Sequence, residues 1–204
     1  MPGRRQNAKF RLRFQGDLRM RGRIIAVCGG VLLGLCLPLA TPIPAADDPK
    51  PITIDELDKL SVGLKVVHVP NPASATETGK SERRSKYTWW FKTTVTSTGQ
   101  EVKILEFGAY VWHEGKWVFA NFSGKPFSPR DFAEWYSCPD GVIKQGNAYS
   151  DPTNWGSAPE LAARKTRWYY IGIDGKGRRV KGEAVMELKG EIGAKRPKGD
   201  FGQH

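Results

Sequence analysis

Apolar and polar positions change rhythm along this chain, and each change marks an element. Ile24 to Ala40 is nearly unbroken apolar sequence, interrupted only by Gly29, Gly30, Gly34 and Pro38. After Thr53 the period is mostly two, the spacing at which strand side chains return to one face. Thr53 and Glu56 fit a capping box, so Ile54 to Leu60 is predicted as a short helix. Leu64 to Val69 is the first expected strand. Pro70 to Lys86 is polar, carries the cluster Glu82-Arg83-Arg84, and is expected to be a long exposed loop.

The middle of the chain is aromatic and β-branched. Tyr87 to Thr96, Glu101 to Trp112 and Trp117 to Phe122 are read as three strands of an antiparallel meander, with His113-Glu114-Gly115-Lys116 as a tight hairpin turn. Arg167 to Ile173 and Arg179 to Ile192 flank Asp174-Gly175-Lys176-Gly177 and form a second predicted hairpin. In the last strand Val180, Ala184, Met186 and Leu188 alternate with Lys181, Glu183, Glu187 and Lys189, a pattern with one wet face. Between the two β blocks, Ser128-Pro129-Arg130-Asp131 supplies an N-cap, a proline at the first helical position and an acid. Phe132, Trp135 and Tyr136 then fall on one helical face, and Cys138-Pro139-Asp140-Gly141 stops the helix. Val142-Ile143 reads as a short strand, and Asp151-Pro152 and Asn154-Trp155 as turns. No long amphipathic helical pattern appears, which excludes a parallel α/β fold. The expected class is all-β: an antiparallel β-sandwich, loosely immunoglobulin-like, with one or two short helices.

The first 46 residues read as a signal peptide. Eight basic residues and Asp17 occupy residues 1–23, the apolar stretch covers 24–40, and residues 41–46 are small or proline. Basic, then apolar, then small is the order of a secretory signal, with cleavage expected after Ala45 or Ala46. An uncleaved anchor is the rival, because a largely apolar run of 17 residues approaches the roughly 20 that span a bilayer. Val27 before Cys28 and Leu35 before Cys36 argue against a lipoprotein, and Arg4-Arg5 lies too far from the apolar run for a good twin-arginine signal. The expected division continues with a linker and short helix at 47–61, a single sandwich domain at 62–192, and a basic disordered tail at 193–204.

Removing the leader changes the electrostatics. The chain carries 32 basic and 21 acidic residues for a net +11, but residues 47–204 hold 24 and 20. A net +4 is an ordinary surface, so the high pI is not a nucleic-acid signature. The basic clusters at Arg83-Arg84 and around Lys176 to Lys181 suit solvated strand edges better than a nucleic-acid interface. Cys138 is then the one cysteine left, which excludes an intrachain disulfide and favours a buried thiol.

Aromatic content is the compositional excess. All seven tryptophans lie after residue 46. Trp89 and Trp90 are neighbours, as are Trp168, Tyr169 and Tyr170, so one member of each set must point away from the main core. Such a ring is either covered by another element or left as a platform on which the C–H faces of sugars stack. Trp135, Tyr136, Tyr149 and Trp155, in the segment between the β blocks, are the candidate ligand-binding residues. Loops on a rigid scaffold are the usual place for such a site.

No catalytic motif emerges: no Gly-x-Ser-x-Gly, no His-Glu-x-x-His and no phosphate loop. A blue-copper site needs two histidines and an axial methionine near its cysteine, and neither follows Cys138. His68, His113 and His204 lack paired zinc ligands. Neither a metal nor another cofactor is therefore expected. Glu106, inside Ile104-Leu105-Glu106-Phe107, is the one carboxylate whose burial would raise its pKa toward general-acid use. A glycosidase would need a second acid across a cleft, with Asp131, Glu134 and Asp151 candidates by type alone. The first expectation is an exported, non-catalytic module, periplasmic or extracellular, that binds a glycan or protein at the cell envelope. It touches the membrane only through the leader if that is uncleaved. The alternative is a small secreted carboxylate hydrolase.

Overall fold

The computed structural model describes residues 50–78 and 85–193. The chain divides into Met1–Pro44 and Ala45–His204, and every described residue belongs to the second unit. The expected leader, its cleavage point, the Glu82-Arg83-Arg84 cluster and the basic tail from 194 lie outside the described residues. No helix among the described residues is long and apolar enough to cross a membrane.

The fold is all-β with few helices. Helix α1 (Ile54–Lys59) is followed by strands β1 (Ser61–Val62), β2 (Leu64–Val69), β3 (Ala73–Glu77), β4 (Tyr87–Ser97), β5 (Val102–His113) and β6 (Lys116–Phe119). Helix α2 (Pro129–Trp135) leads through a 3-10 turn at Pro139–Gly141 into β7 (Val142–Ile143), β8 (Ala148–Ala158), β9 (Arg164–Asp174) and β10 (Arg179–Ile192). Both helices start as the sequence predicts. Thr53 with Glu56, and Ser128 with Asp131, form reciprocal capping boxes, and Pro129 opens α2.

The strands join in one hydrogen-bonded sheet with the path β2-β4-β3-β10-β9-β5-β6, from which β1, β7 and β8 branch. Pairing is mixed rather than purely antiparallel, because β1 and β3 both run parallel to β10. The expected meander does not form either. Strand β4 pairs with β2, β3 and β8, while β5 pairs with β6, β7 and β9. Trp89, Phe91 and Val95 on β4 and Ile104, Phe107 and Ala109 on β5 are all buried in one core. The Ser97–Gln100 connection thus carries the chain across that core instead of folding it back beside itself. Both hairpins hold: β5–β6 turns at Glu114 and Gly115 with φ of 49° and 81°, the left-handed pair that a two-residue turn requires. Strands β9 and β10 pair over their length.

Two stretches expected as loops or turns are strands. Ala73–Glu77 alternates small buried and more exposed residues, with Ala73 and Ala75 inside. Alanine and serine have weak strand preference, so this strand is set by tertiary pairing rather than by local signal. Ala148–Ala158 pairs with β4 across a bulge: Phe91 faces Asn154, but Thr93 faces Asp151. The extra residue falls at Pro152 and Thr153, where a bulge lets proline sit in a strand.

Side chains of β2, β3 and β4 meet those of β5, β9, β10 and α2 in the main core, with Trp89, Phe107, Tyr136, Tyr170 and Met186 fully enclosed. A smaller cluster lies on the other side of β5 and β9, where Leu57 of α1 packs with Tyr110, Tyr169 and Ile171. Strand β10 crosses close to β2 at Gly182, where any Cβ would come within 2.5 Å of the Leu64 Cβ. The wet face expected of β10 is covered at its start, since Lys181 is buried beside Glu183.

Candidate functional site

The sequence candidates divide into core and surface. Tyr136 is core: it is 1% exposed, stacks on Phe132 and meets the Tyr170 hydroxyl with its own. Helical spacing places Phe132 and Tyr136 on the same buried stripe, so Tyr136 cannot reach an external ligand in this fold. Tyr149 is half-buried opposite Val95 and packs on the rim of the same core. Trp135 is half-buried edge-on to Phe107 and Phe127, with ring centroids 5.5 and 4.7 Å away.

Trp155 points outward. The neighbouring Asn154 turns inward, donates from Nδ2 to Thr93 Oγ1 at 2.8 Å, and accepts the Trp155 N–H on its Oδ1. With Asn154 fixed inside, strand alternation puts Trp155 on the other face, in register with Trp90 of β4. Asp151 sets up the preceding bulge by accepting the Thr153 N–H at 2.8 Å.

The ring beside Trp155 is Phe122, which the sequence places at the end of a strand. Strand β6 stops at Phe119, and Asn121 takes over its end: Oδ1 accepts the Ala109 N–H and Nδ2 donates to the Lys125 carbonyl, both at 2.9 Å. Gly124 N–H closes the turn on the Asn121 carbonyl. Phe122 sits in that turn, 47% exposed, nearly parallel to Trp155 at 14° with centroids 6.3 Å apart. Such near-parallel pairs are a preferred aromatic arrangement, and here the exposed member is Phe122 while Trp155 is half-buried. Phe122 also meets Phe127 at 5.4 Å, so Trp155, Phe122, Phe127 and Trp135 form one continuous aromatic strip. A large ring within Asn-Phe-Ser-Gly, where a turn offers nothing to bury it, was the available signal for Phe122.

Beneath this strip lies a buried polar network. The His68 Nδ1 and Thr93 Oγ1 are 3.0 Å apart, Asn154 joins them, and the Tyr136–Tyr170 hydroxyl pair lies beside Thr93. Burial pushes the His68 pKa down to about 4, against the Ala184 carbonyl, which favours the charged ring. Burial also holds both tyrosines far above the usual phenol range, with the Asp151 charge acting the same way. His68 and the two tyrosines stay neutral, each with at least one hydrogen bond, while the buried His68 Nε2 has no hydrogen-bond partner among the described residues.

Glu106 lies on the opposite side of the β5–β9 region. Burial raises its pKa, partly opposed by the Arg179 charge and by the Tyr169 hydroxyl, which donates to its Oε1 at 3.4 Å. A groove of about 370 Å³ opens nearby, lined by Pro51, Ile52, Ile54, Asp55, Tyr110 and Trp117 among others, and Glu106 is not in its lining. The Tyr110 hydroxyl is engaged with the Ile52 carbonyl. Asp131 caps α2, and Asp151 holds the bulge. Cys138 is buried, which pushes its thiol up to about 11. Among the described residues, no cluster of three or more His, Cys, Asp or Glu could hold a metal ion.

No family model matches this chain, and no curated protein does. Among solved structures it is similar to the crystal structure of a protein designated ApaA from Bordetella pertussis. The two share 13% identity with a TM-score of 0.40, over 64% of this chain and 96% of that one. So distant a likeness transfers no function.

Proposed function

We propose that this protein is an exported, non-catalytic binding module, loosely immunoglobulin-like, that holds a glycan at the cell envelope through Phe122 and Trp155. The observation carrying this reading is the pair of nearly parallel rings, Phe122 47% exposed and Trp155 half-buried. Flat aromatic faces are matched to the apolar C–H faces of sugar rings, and two offset rings can engage consecutive units of one chain. The leader supports export by its basic, apolar and small-residue order.

The test is a glycan array and a polysaccharide pull-down with the purified protein, followed by Trp155→Ala. A folded variant that no longer retains the bound polymer is the expected result. Retention by a folded Trp155→Ala protein, or no polymer bound by the parent, defeats the reading.

One observation favours a second reading, a carboxylate hydrolase: burial raises the Glu106 pKa beside a tyrosine hydroxyl. That mechanism needs a second acid in the same cleft. Polymer cleavage abolished by Glu106→Gln would establish it in place of the binding reading.

A further inference from the structure

The outward side of β2, β4 and β8 narrows the ligand class, and this step rests on the binding reading above. Register places Lys65 opposite Thr96, Val67 opposite Thr94 and Val69 opposite Lys92. Across β4 it places Thr94 opposite Ser150 and Trp90 opposite Trp155. Residues opposed in register share a face. Leu64, Val66 and His68 are buried while Lys65, Val67 and Val69 are exposed, so the face is the outer one. Its hydroxyls are already organised, with Thr94 Oγ1 and Ser150 Oγ 2.8 Å apart.

Charge on this face has one sign. The outward positions of the three strands include Lys65 and Lys92 and no carboxylate. Neither lysine enters an ion pair among the described residues. In this they resemble Lys103, Lys116 and Lys144 and differ from Lys86, Lys165, Lys181 and Lys189, each of which meets a glutamate. From the Lys65 row to the Trp155 row is six residues along β4, roughly 20 Å at the usual strand rise. The lysines and the ring pair therefore lie along a diagonal that an extended chain can follow.

We propose that the occupant of this face is an acidic polysaccharide, a sugar chain bearing carboxylates. Sugar faces lie on Trp155 and Phe122, hydroxyls meet Thr94 and Ser150, and carboxylates meet the Lys65 and Lys92 ammonium groups. Two exposed cations in water add modest affinity and mainly select the charged polymer over a neutral one.

The probes are polygalacturonate, a neutral glucan, an oligothymidylate and phosphatidylserine vesicles, titrated into the purified protein at about 50 and about 500 mM salt, where screening becomes short-ranged. The polyuronate should bind more tightly than the glucan at low salt and lose that advantage at high salt. The double variant Lys65→Gln/Lys92→Gln should lower polyuronate affinity about fivefold at low salt and leave glucan affinity unchanged. Equal binding of the two polymers, or no effect of the lysine variant, overturns the acidic class while leaving the ring-based reading intact. Preference for the oligonucleotide or the vesicles also overturns it. If no polymer binds and Phe122→Ala changes nothing, the underlying reading has failed instead.

Discussion

Two outward aromatic sites in this molecule begin from the same sequence signal and end differently. Tyr169 and Trp155 each stand on a strand facing away from the main core. Tyr169 is fully buried, because α1 lays Leu57 over that side and Tyr110 and Ile171 close in around it. Trp155 is only half-buried, with Phe122 from a turn stacked beside it. The difference lies in what the chain places above the strand. Ile52 to Leu60 supplies a cover with its own apolar stripe, and an ion-pair set fastens it: Arg167 joins Asp58 of α1 and Glu183 of β10. Over Trp155 the described chain offers a short turn and no such cover. An aromatic residue on a strand becomes core or platform according to its lid.

The largest expected effect comes from truncating the covered ring. Tyr169→Ala removes a fully enclosed aromatic and should cost about 4 kcal/mol of unfolding free energy, against about 1 kcal/mol for Trp155→Ala. Urea unfolding of both variants measures the gap. Equal costs would mean that Trp155 is as enclosed as Tyr169, and the comparison would collapse.

Next in size is a pH effect arising under the open face. His68 is held neutral, with its pKa pushed down to about 4 from an ordinary 6.5. The unfolded chain therefore binds a proton at a higher pH than the folded one does. Stability from this group is complete above about 6.5 and falls as pH drops toward 4, by about 3 kcal/mol in all. The raised Glu106 pKa works in the opposite direction over part of this range. His68→Gln, unable to titrate, should flatten the slope between pH 6.5 and 4.5 in denaturant midpoints. An unchanged slope would place the titrating group elsewhere.

A smaller effect should loosen the lid itself. Arg167→Ala removes the shorter of two ion-pair links between α1 and the sheet, leaving Lys181 to join both Asp58 and Glu183, at a cost of about 2 kcal/mol. Amide exchange within 54–60 should quicken more than exchange in β4 or β8. Uniform acceleration would show that α1 opens only with global unfolding.

Much of this arrangement was legible in the residues. The capping boxes at Thr53 and Ser128 and the hairpins at Glu114-Gly115 and Asp174–Gly177 are local, so sequence spacing reveals them. So did alternation reveal that Trp89 and Trp90 must part: Trp89 is enclosed, and Trp90 turns outward. Strand order was not legible, since β4 and β5 have similar patterns whether they lie side by side or face each other across a core. Strand β3 escaped because Ala-Ser-Ala-Thr lacks the bulk that marks strands. At the site, Trp155 and Trp135 were within reach of pattern reasoning. Tyr136 was misplaced because a helix puts i and i+4 on one stripe, and Phe132 had already taken that stripe to the core.

The smallest effect on stability is the most informative about function. Phe122 is held by backbone and Asn121 hydrogen bonds that do not involve its ring, so Phe122→Ala should leave the turn in place. With nearly half of the residue already in water, the loss should be about 0.5 kcal/mol or less. Its ring stands nearly parallel to Trp155, an arrangement that under the proposed binding role contributes more to a flat ligand than to folding. Polysaccharide affinity should therefore fall at least tenfold while the unfolding midpoint barely moves. Tyr169→Ala should do the reverse, lowering the midpoint sharply while folded molecules bind as before. If Phe122→Ala instead costs several kcal/mol and spares binding, the strip is a satellite of the core and the open face lies elsewhere.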